Sequence, residues 1–362
     1  MKLVKVLVGA GAALLSPVLI ASAYAGLIAP EQAWLLAVLG LAFPLLFGAT
    51  LLLLPALLIL NRTMVWLPLS ALLISMPTLL LHVRLHATTD APQPDDIKLV
   101  SYNVRNFDLY NWSQEGVVLE QLIQQIRETA PDIICFQEFF NADTGVFRTV
   151  SRLRDSCSMP YYAMDKTVER ENYGAWGLAT FSRYPIVHHQ ALRFSERTFN
   201  SALLCGIRLG KDTLWVLNVH LQSIALEDPD YAYLEQMGQQ LDFHLQPTRS
   251  IFRKLRYGFH MRPRQAEILQ KVIDSLRGPV VLCGDFNDTP GSFVYRMLTR
   301  KLSDAFLSAG PAGWGTTYAG IIPLLRIDYV LVNEWLQVVR FQVDRRKLSD
   351  HHLISCHLRL RQ

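Results

Sequence analysis

The sequence predicts a membrane-anchored α/β protein, with a helical transmembrane region followed by a domain whose helices cover β-sheets on both outer faces. Three observations predict it. Of 362 residues, 51% are hydrophobic and 18% charged, where a soluble domain carries about a quarter charged. The shortfall is confined to residues 1–89, whose only charges are Lys2, Lys5, Arg62, Arg84 and Glu31. Beyond residue 97, short apolar runs alternate with segments of helical spacing, the pattern of sheets packed against helices.

Three uncharged stretches open the chain, at about 7–28, 33–60 and 64–81. Each is long enough to cross a hydrocarbon core of about 30 Å as a helix, and internal prolines are tolerated in such helices. Together they define a transmembrane region over 1–85. The first stretch also reads as a secretory leader, because "ASAYAG" offers an Ala-x-Ala site. Its apolar run exceeds the usual 7–15 residues, which favours a retained helix. With Lys2, Lys5 and Arg62 on the inside, the positive-inside rule places the following domain outside the cytoplasm, periplasmic or extracellular.

Residues 86–96, "HATTDAPQPDD", form a polar linker, and 97–362 form a second, globular domain. "IKLVSYNV" (97–104) reads as a strand. "EGVVLEQLIQQIRETAP" (115–131) reads as a helix that stops at Pro131. "DIICFQEF", "GLATFSRYPI" and "TLWVLNVHL" are strands. "RPRQAEILQKVIDSLRG" (262–278) is a helix with Pro near its start and Gly at its end. "PVVLCGDFN", "RIDYVLV" and "ISCHLRL" are the last strands. Of five cysteines, Cys135, Cys205 and Cys283 lie inside apolar runs and read as small buried hydrophobes.

These apolar strands end in polar residues. The ends carry Asn103, Gln137-Glu138, Asn218 and His220, Asp285 and Asn287, Arg326 and Asp328, and Asp350, His351 and His352. A single such residue is a cap or turn former. Six ends held by rigid strands would converge on one acidic, histidine-containing pocket. Hard oxygen ligands without thiolates suit Mg²⁺, with Mn²⁺ or Ca²⁺ as alternatives. A divalent ion beside histidine suits phosphate-ester hydrolysis. Asp288 reads as a turn residue before Thr289-Pro290, and His352 should face away from His351.

The ordered set "SYNVRNF", "DIICFQE", "GLATFSRYPI", "LNVHL", "GDFND", "IDYVL" and "SDHH" resembles the endonuclease/exonuclease/phosphatase superfamily over roughly residues 97–360. The resemblance implies a four-layer α/β sandwich, two mixed β-sheets flanked by helices. It implies Asn103, Glu138 and Asp350 at the metal, with Glu138 the main ligand. Asp285 would position or deprotonate the attacking water, with Asn287 beside it on the phosphate. Asp328 would orient His351, and His220 would stabilise the transition state. Abasic-site nucleases usually carry another residue where His220 stands, so the chain looks closer to the DNase, sphingomyelinase and phosphatase branches. Leu353 stands where the family often has Pro. Arg183 in "SRYP" is a further candidate phosphate contact.

Outside the membrane region the domain holds 31 bases and 29 acids, which is not the footprint of a general nucleic-acid binder. The segment 248–264 carries six Lys or Arg residues and no acid, a pattern suited to anionic headgroups. "DRRKLSD" (344–350) adds three bases that would draw in a phosphorylated substrate. The expected activity is therefore a membrane-anchored phosphoesterase acting on a lipid headgroup, sphingomyelinase-, inositol-phosphatase- or GPI-lipid-remodeler-like. Its partners would be the bilayer and that substrate, with no protein partner. The alternatives are an extracytoplasmic DNase I-like endonuclease and a non-catalytic binding module.

Overall fold

The computed structural model describes residues 2–87, 90–110, 116–195, 198–224, 245–320, 322 and 324–361. They fall into two compact units. One comprises Met1–Val83, Ile224–Ala266 and Asp288–Leu298; the other comprises Arg84–Ser223, Glu267–Asn287 and Thr299–Gln362.

In the first unit the chain forms α1 (Lys2–Ala23), α2 (Pro30–Leu41), α3 (Phe43–Leu60) and α4 (Trp66–His82). Segments Lys2–Leu27, Phe43–Leu60 and Arg62–His82 are each long and apolar enough to cross a membrane. The expected span over 33–60 is corrected. As one helix it would run roughly 42 Å, well beyond a core of about 30 Å. Instead it breaks at Ala42, and Pro44 enters the first turn of α3, where its missing N–H costs nothing.

Packing sets the direction of these helices. Gly9 near the start of α1 lies against Met64 and Asn61. At the other end, Phe43 packs with Leu19, Ala23 and Leu72, and its ring lies 5.1 Å from that of His82. So α1 and α4 run together and α3 runs against them. The short α2 begins beside the end of α1 and returns to it, because Ser22 Oγ donates to the Leu39 carbonyl at 2.7 Å.

The second unit is an α/β sandwich of two six-stranded mixed sheets. Its strands are β1 (Ile97–Asn103), β2 (Ile133–Ala142), β3 (Tyr161–Arg170), β4 (Gly174–Ser182), β5 (Ile186–Arg193) and β6 (Ser201–Leu209). The rest are β7 (Asp212–His220), β8 (Val280–Asp285), β9 (Ser303–Asp304), β10 (Asp328–Val332), β11 (Leu336–Val343) and β12 (Ile354–Leu360). One sheet has the order β11-β12-β1-β2-β4-β3 and the other β9-β10-β8-β7-β6-β5. The pairs β1–β2 and β7–β8 are parallel and the rest antiparallel.

Strand alternation builds the layers. Leu99, Ile133 and Cys135 meet Leu203, Cys205, Val216, Val281, Cys283 and Val330 between the sheets. Val100, Tyr102, Ile134 and Phe136 point the other way. They pack under Leu119, Leu122, Ile123 and Ile126 of α5 (Val117–Thr129) and Leu153 of α6 (Thr149–Cys157). Each such side chain contributes about 1.5–3 kcal/mol on full burial. All five cysteines are buried thiols, and burial pushes that of Cys205 up to about 12.

The helix expected over 262–278 is longer in the structure. α7 runs Leu245–Ser275 with Pro263 inside it. Asp288 is more than a turn residue: buried, it pairs with the buried Arg262 at 3.2 Å. Arg326 also departs from the expected convergence. Its guanidinium pairs with Asp304 at 2.6 Å, between the rings of Phe306 and Tyr329.

Candidate active site

The site forms where β1, β7 and β8 end, β10 begins and β2 passes through its bulge, and local backbone irregularity aims its side chains. In β2 the pairing with β4 slips between Phe136 and Phe139, so one extra residue bulges out. Glu138 in that bulge adopts φ of 49°. A bulge re-aims a side chain that regular alternation would misplace. β8 reaches the site through Gly284, φ 138°, where a Cβ would come within 2.0 Å of the Val219 carbonyl oxygen. Only glycine permits this approach to β7. Asn287 is again left-handed, with φ of 52°. Four consecutive residues after β1, Arg105 to Asp108, share that conformation, which L-residues adopt singly at a cost. Phe107 anchors the turn, buried against Phe136 and Phe139.

Asp285 is the hub. Its Oδ2 accepts from Asn103 Nδ2 at 3.1 Å and from Asn287 Nδ2 at 3.2 Å, and its Oδ1 accepts from the Asn287 backbone N–H at 2.8 Å. The same Oδ2 faces His220 Nε2 at 3.6 Å and His351 Nε2 at 3.7 Å. Burial pushes the Asp285 carboxyl up to about 6, with Asp328 adding to the rise and His351 and His220 holding it back. His351 Nδ1 lies 3.0 and 2.9 Å from the two Asp328 oxygens. Burial opposes charge on His351, but the neighbouring Asp328 and Asp285 hold its pKa well above the usual imidazole value.

Glu138 Oε1 accepts from Asn103 Nδ2 at 3.1 Å and lies 3.8 Å from His220 Nε2. That Nε2 is buried and has no hydrogen-bond partner among the described residues. Asp350, about a third exposed, sits 3.8 Å from Arg105 Nε; the neighbouring Ser349 Oγ donates to the Asn103 carbonyl at 2.9 Å.

The expected residues are thus divided. Asn103, Glu138, His220, Asp285, Asn287, Asp328 and His351 form one contact chain, with Asp350 on its rim. Asn103 is placed differently from an oxygen ligand, since it turns its amide N–H₂ to the carboxylates while its Oδ1 accepts from the Arg105 N–H. Arg183 is a correction. It follows the end of β4 that pairs with the start of β2, and its guanidinium lies 3.6 Å from Asp132. Asp132 precedes Glu138 by six residues of strand, so Arg183 stands roughly 20 Å from the site. Asn218 braces the two sheets, donating to the Phe136 and Ala179 carbonyls. The sequence reading missed Arg105, although "NVRNF" places a base two residues after Asn103.

Ligand atoms of Asp285, Asp328 and His351 lie within 4.8 Å of one another. Carboxylate oxygens with imidazole are a donor set for a divalent cation, and Glu138 and Asp285 concentrate a further negative charge around one imidazole nitrogen.

A family model described as the endonuclease/exonuclease/phosphatase family matches residues 100–351. The chain belongs to that family. A second model, a domain of unknown function (DUF8431), matches residues 5–81. Among curated proteins, protein angel of Drosophila melanogaster is 23% identical over 268 residues, covering 67% of this chain and 69% of its own. Among solved structures, a functionally unknown conserved protein from Enterococcus faecalis V583 aligns with TM-score 0.53 at 20% identity, over 73% of this chain and 100% of that one. An endonuclease/exonuclease/phosphatase from Beutenbergia cavernae aligns with TM-score 0.52 at 18% identity, over 73% and 72%. D. rerio TDP2, complexed with a single-strand DNA product, aligns with TM-score 0.51 at 14% identity, over 73% and 99%. At these identities the structures share the fold. Family membership and the ligand cluster make the chain a divalent-metal-dependent phosphoric ester hydrolase.

Proposed function

We propose that the enzyme is a membrane-anchored phosphodiesterase of nuclease type, hydrolysing phosphodiester bonds of nucleic acid outside the cytoplasm. The observation that carries the phosphodiester chemistry is His220. Its buried Nε2 lacks a hydrogen-bond partner among the described residues while pointing between Glu138 and Asp285. Leaving a buried donor unsatisfied costs about 1–3 kcal/mol, and a phosphoryl oxygen lodged there would recover it. The nucleic-acid reading draws support from the DNA product named for the TDP2 structure. The extracytoplasmic placement draws on Lys2, Lys5 and Arg62.

In this reading Asp285 accepts a proton from the attacking water, whose oxygen adds to phosphorus as the ester oxygen departs. A carboxyl raised to about 6 is ionised at neutral pH yet basic enough for the task. Asn287, tied to Asp285 at two points, keeps the carboxylate facing the water. His351, charged and held by Asp328, balances the negative charge at Asp285. His220 donates to the oxygen on which charge develops. Because a protonated His351 cannot ligate, the Asp285, Asp328 and His351 cluster serves proton transfer in this reading, and Glu138, with Asp350 at the rim, would hold a divalent cation, Mg²⁺ by preference, which would polarise the phosphoryl group when bound.

A lipid headgroup is the second reading, favoured by three membrane-length helices that would keep such a substrate local. The deciding test uses the full chain in nanodiscs with Mg²⁺ or Mn²⁺, offered single-stranded and plasmid DNA, sphingomyelin and phosphoinositides. DNA cleavage abolished by chelator and by His220→Ala supports the first reading. Lipid turnover with intact DNA replaces it with the second; inertness toward every substrate refutes both.

A further inference from the structure

We infer that the first half of α7 is a membrane-surface element that binds the anionic phospholipid headgroups of the leaflet where α1 ends. This goes beyond the hydrolytic reading and stands whichever ester the enzyme cleaves.

Depth comes first. From Lys5, its last charge, to Ala23, α1 rises roughly 27 Å at 1.5 Å per residue. That is close to the thickness of a hydrocarbon core. The turn after it, Ala25–Leu27, and the start of α2 therefore lie at headgroup level. α2 starts and finishes at this same end of the bundle, so it lies along the interface. Its Trp34, an aromatic suited to that depth, meets Phe252 of α7 edge-on with ring centroids 6.0 Å apart. Phe259 of α7 lines a small cleft with Ala25, Gly26, Pro30 and Gly40. Two contacts thus hold this part of α7 at the headgroup layer.

Charge then selects the partner. The inward face of α7 carries Ile251, Phe259, Arg262 and Ala266, all buried. The outward face carries Arg249, Arg253, Arg256 and Arg264, all exposed, at spacings of four, three and eight residues. No Asp or Glu occurs anywhere in 245–264. A solvated surface helix normally mixes both signs. A single-signed basic face beside an aromatic pair at interfacial depth complements a negatively charged leaflet, where each base near the surface adds attraction. Consistent with this use, the one cation on the inward face, Arg262, is neutralised internally by Asp288 at 3.2 Å.

The test compares amide hydrogen exchange across 249–264 in the full chain, reconstituted into nanodiscs of phosphatidylcholine alone or of equal parts phosphatidylcholine and phosphatidylglycerol. Exchange should slow by roughly ten- to hundredfold in the anionic discs. High salt should erase the difference. The triple variant R249Q/R253Q/R256Q should exchange alike in both discs. Equal exchange of the parent chain in the two discs overturns the inference, and so does unchanged slowing in the triple variant. Slowing by a single-stranded oligonucleotide in neutral discs, with none from phosphatidylglycerol, would assign the face to nucleic acid instead.

Discussion

The two ends of one sheet make an instructive pair. At the start of β2, Asp132 meets Arg183, and both are partly open to water. Six residues further on, at the bulge within β2, Glu138 joins Asn103, His220 and Asp285, a group with mostly buried side chains and no Arg or Lys among them. Both ends are polar, and both looked functional as sequence. What separates them is energetic. The Arg183 pair keeps its hydration and its opposite charge at hand, so it asks little of the fold. The Asp285 end gathers carboxylates away from water, with glycine-only approach at Gly284 and left-handed backbone at Glu138 and Asn287. Such strain persists only where surrounding structure enforces it, and it marks sites of chemistry.

The contrast can be broken most sharply at Asp285. Asp285→Asn removes the proton acceptor while keeping the shape, and kcat should fall by roughly 10²–10⁴; a variant within a few fold of the parent would dissolve the distinction between the ends. Asp328→Asn should cost about 10²-fold, because His351 loses the group that fixes its orientation and charge. An accompanying change in the pH profile separates this from simple loss of packing.

Titration gives a subtler measure. The acceptor must be ionised, so the rate should be full well above pH 6 and fall through an acid limb near 6, roughly tenfold per unit below it. A limb near 4 would mean that Asp285 is solvated like an ordinary carboxylate. The smallest effect belongs to the other end. Arg183→Ala should leave kcat/KM within about twofold and cost under about 1 kcal/mol of stability by chemical denaturation, as half-exposed pairs do.

Much of this was legible as residues in order. The strands Ile97–Asn103 and Ile354–Leu360 follow directly from apolar runs, and the polar tips at Asn103, Asp285 and Asp328 do lie together. What the pattern concealed was pairing. β5, "IVHHQALR", and β3, "YYAMDKTVER", are edge strands with exposed polar residues, so periodicity gave them no signal. The opposite location of Arg183 depends on β4 running antiparallel to β2, which no local motif encodes. The Asp304–Arg326 pair joins residues 22 apart, and neither neighbourhood hints at it. The split at Ala42 was readable from length, since 28 apolar residues exceed one crossing. The run of left-handed residues after Asn103 was not, because nothing in Arg-Asn-Phe-Asp demands it.

The extra residue in β2 carries an evolutionary corollary. Between Phe136 and Phe139 three steps on one strand oppose two on its neighbour, Ala179 to Gly177. Losing a single codon there would restore even pairing, and every later side chain of the strand would keep the face it now occupies. A one-residue deletion there is therefore expected to spare the pairing of the later strand and to cost the enzyme the aim of Glu138 at His220, which turnover by a chain that still folds would measure.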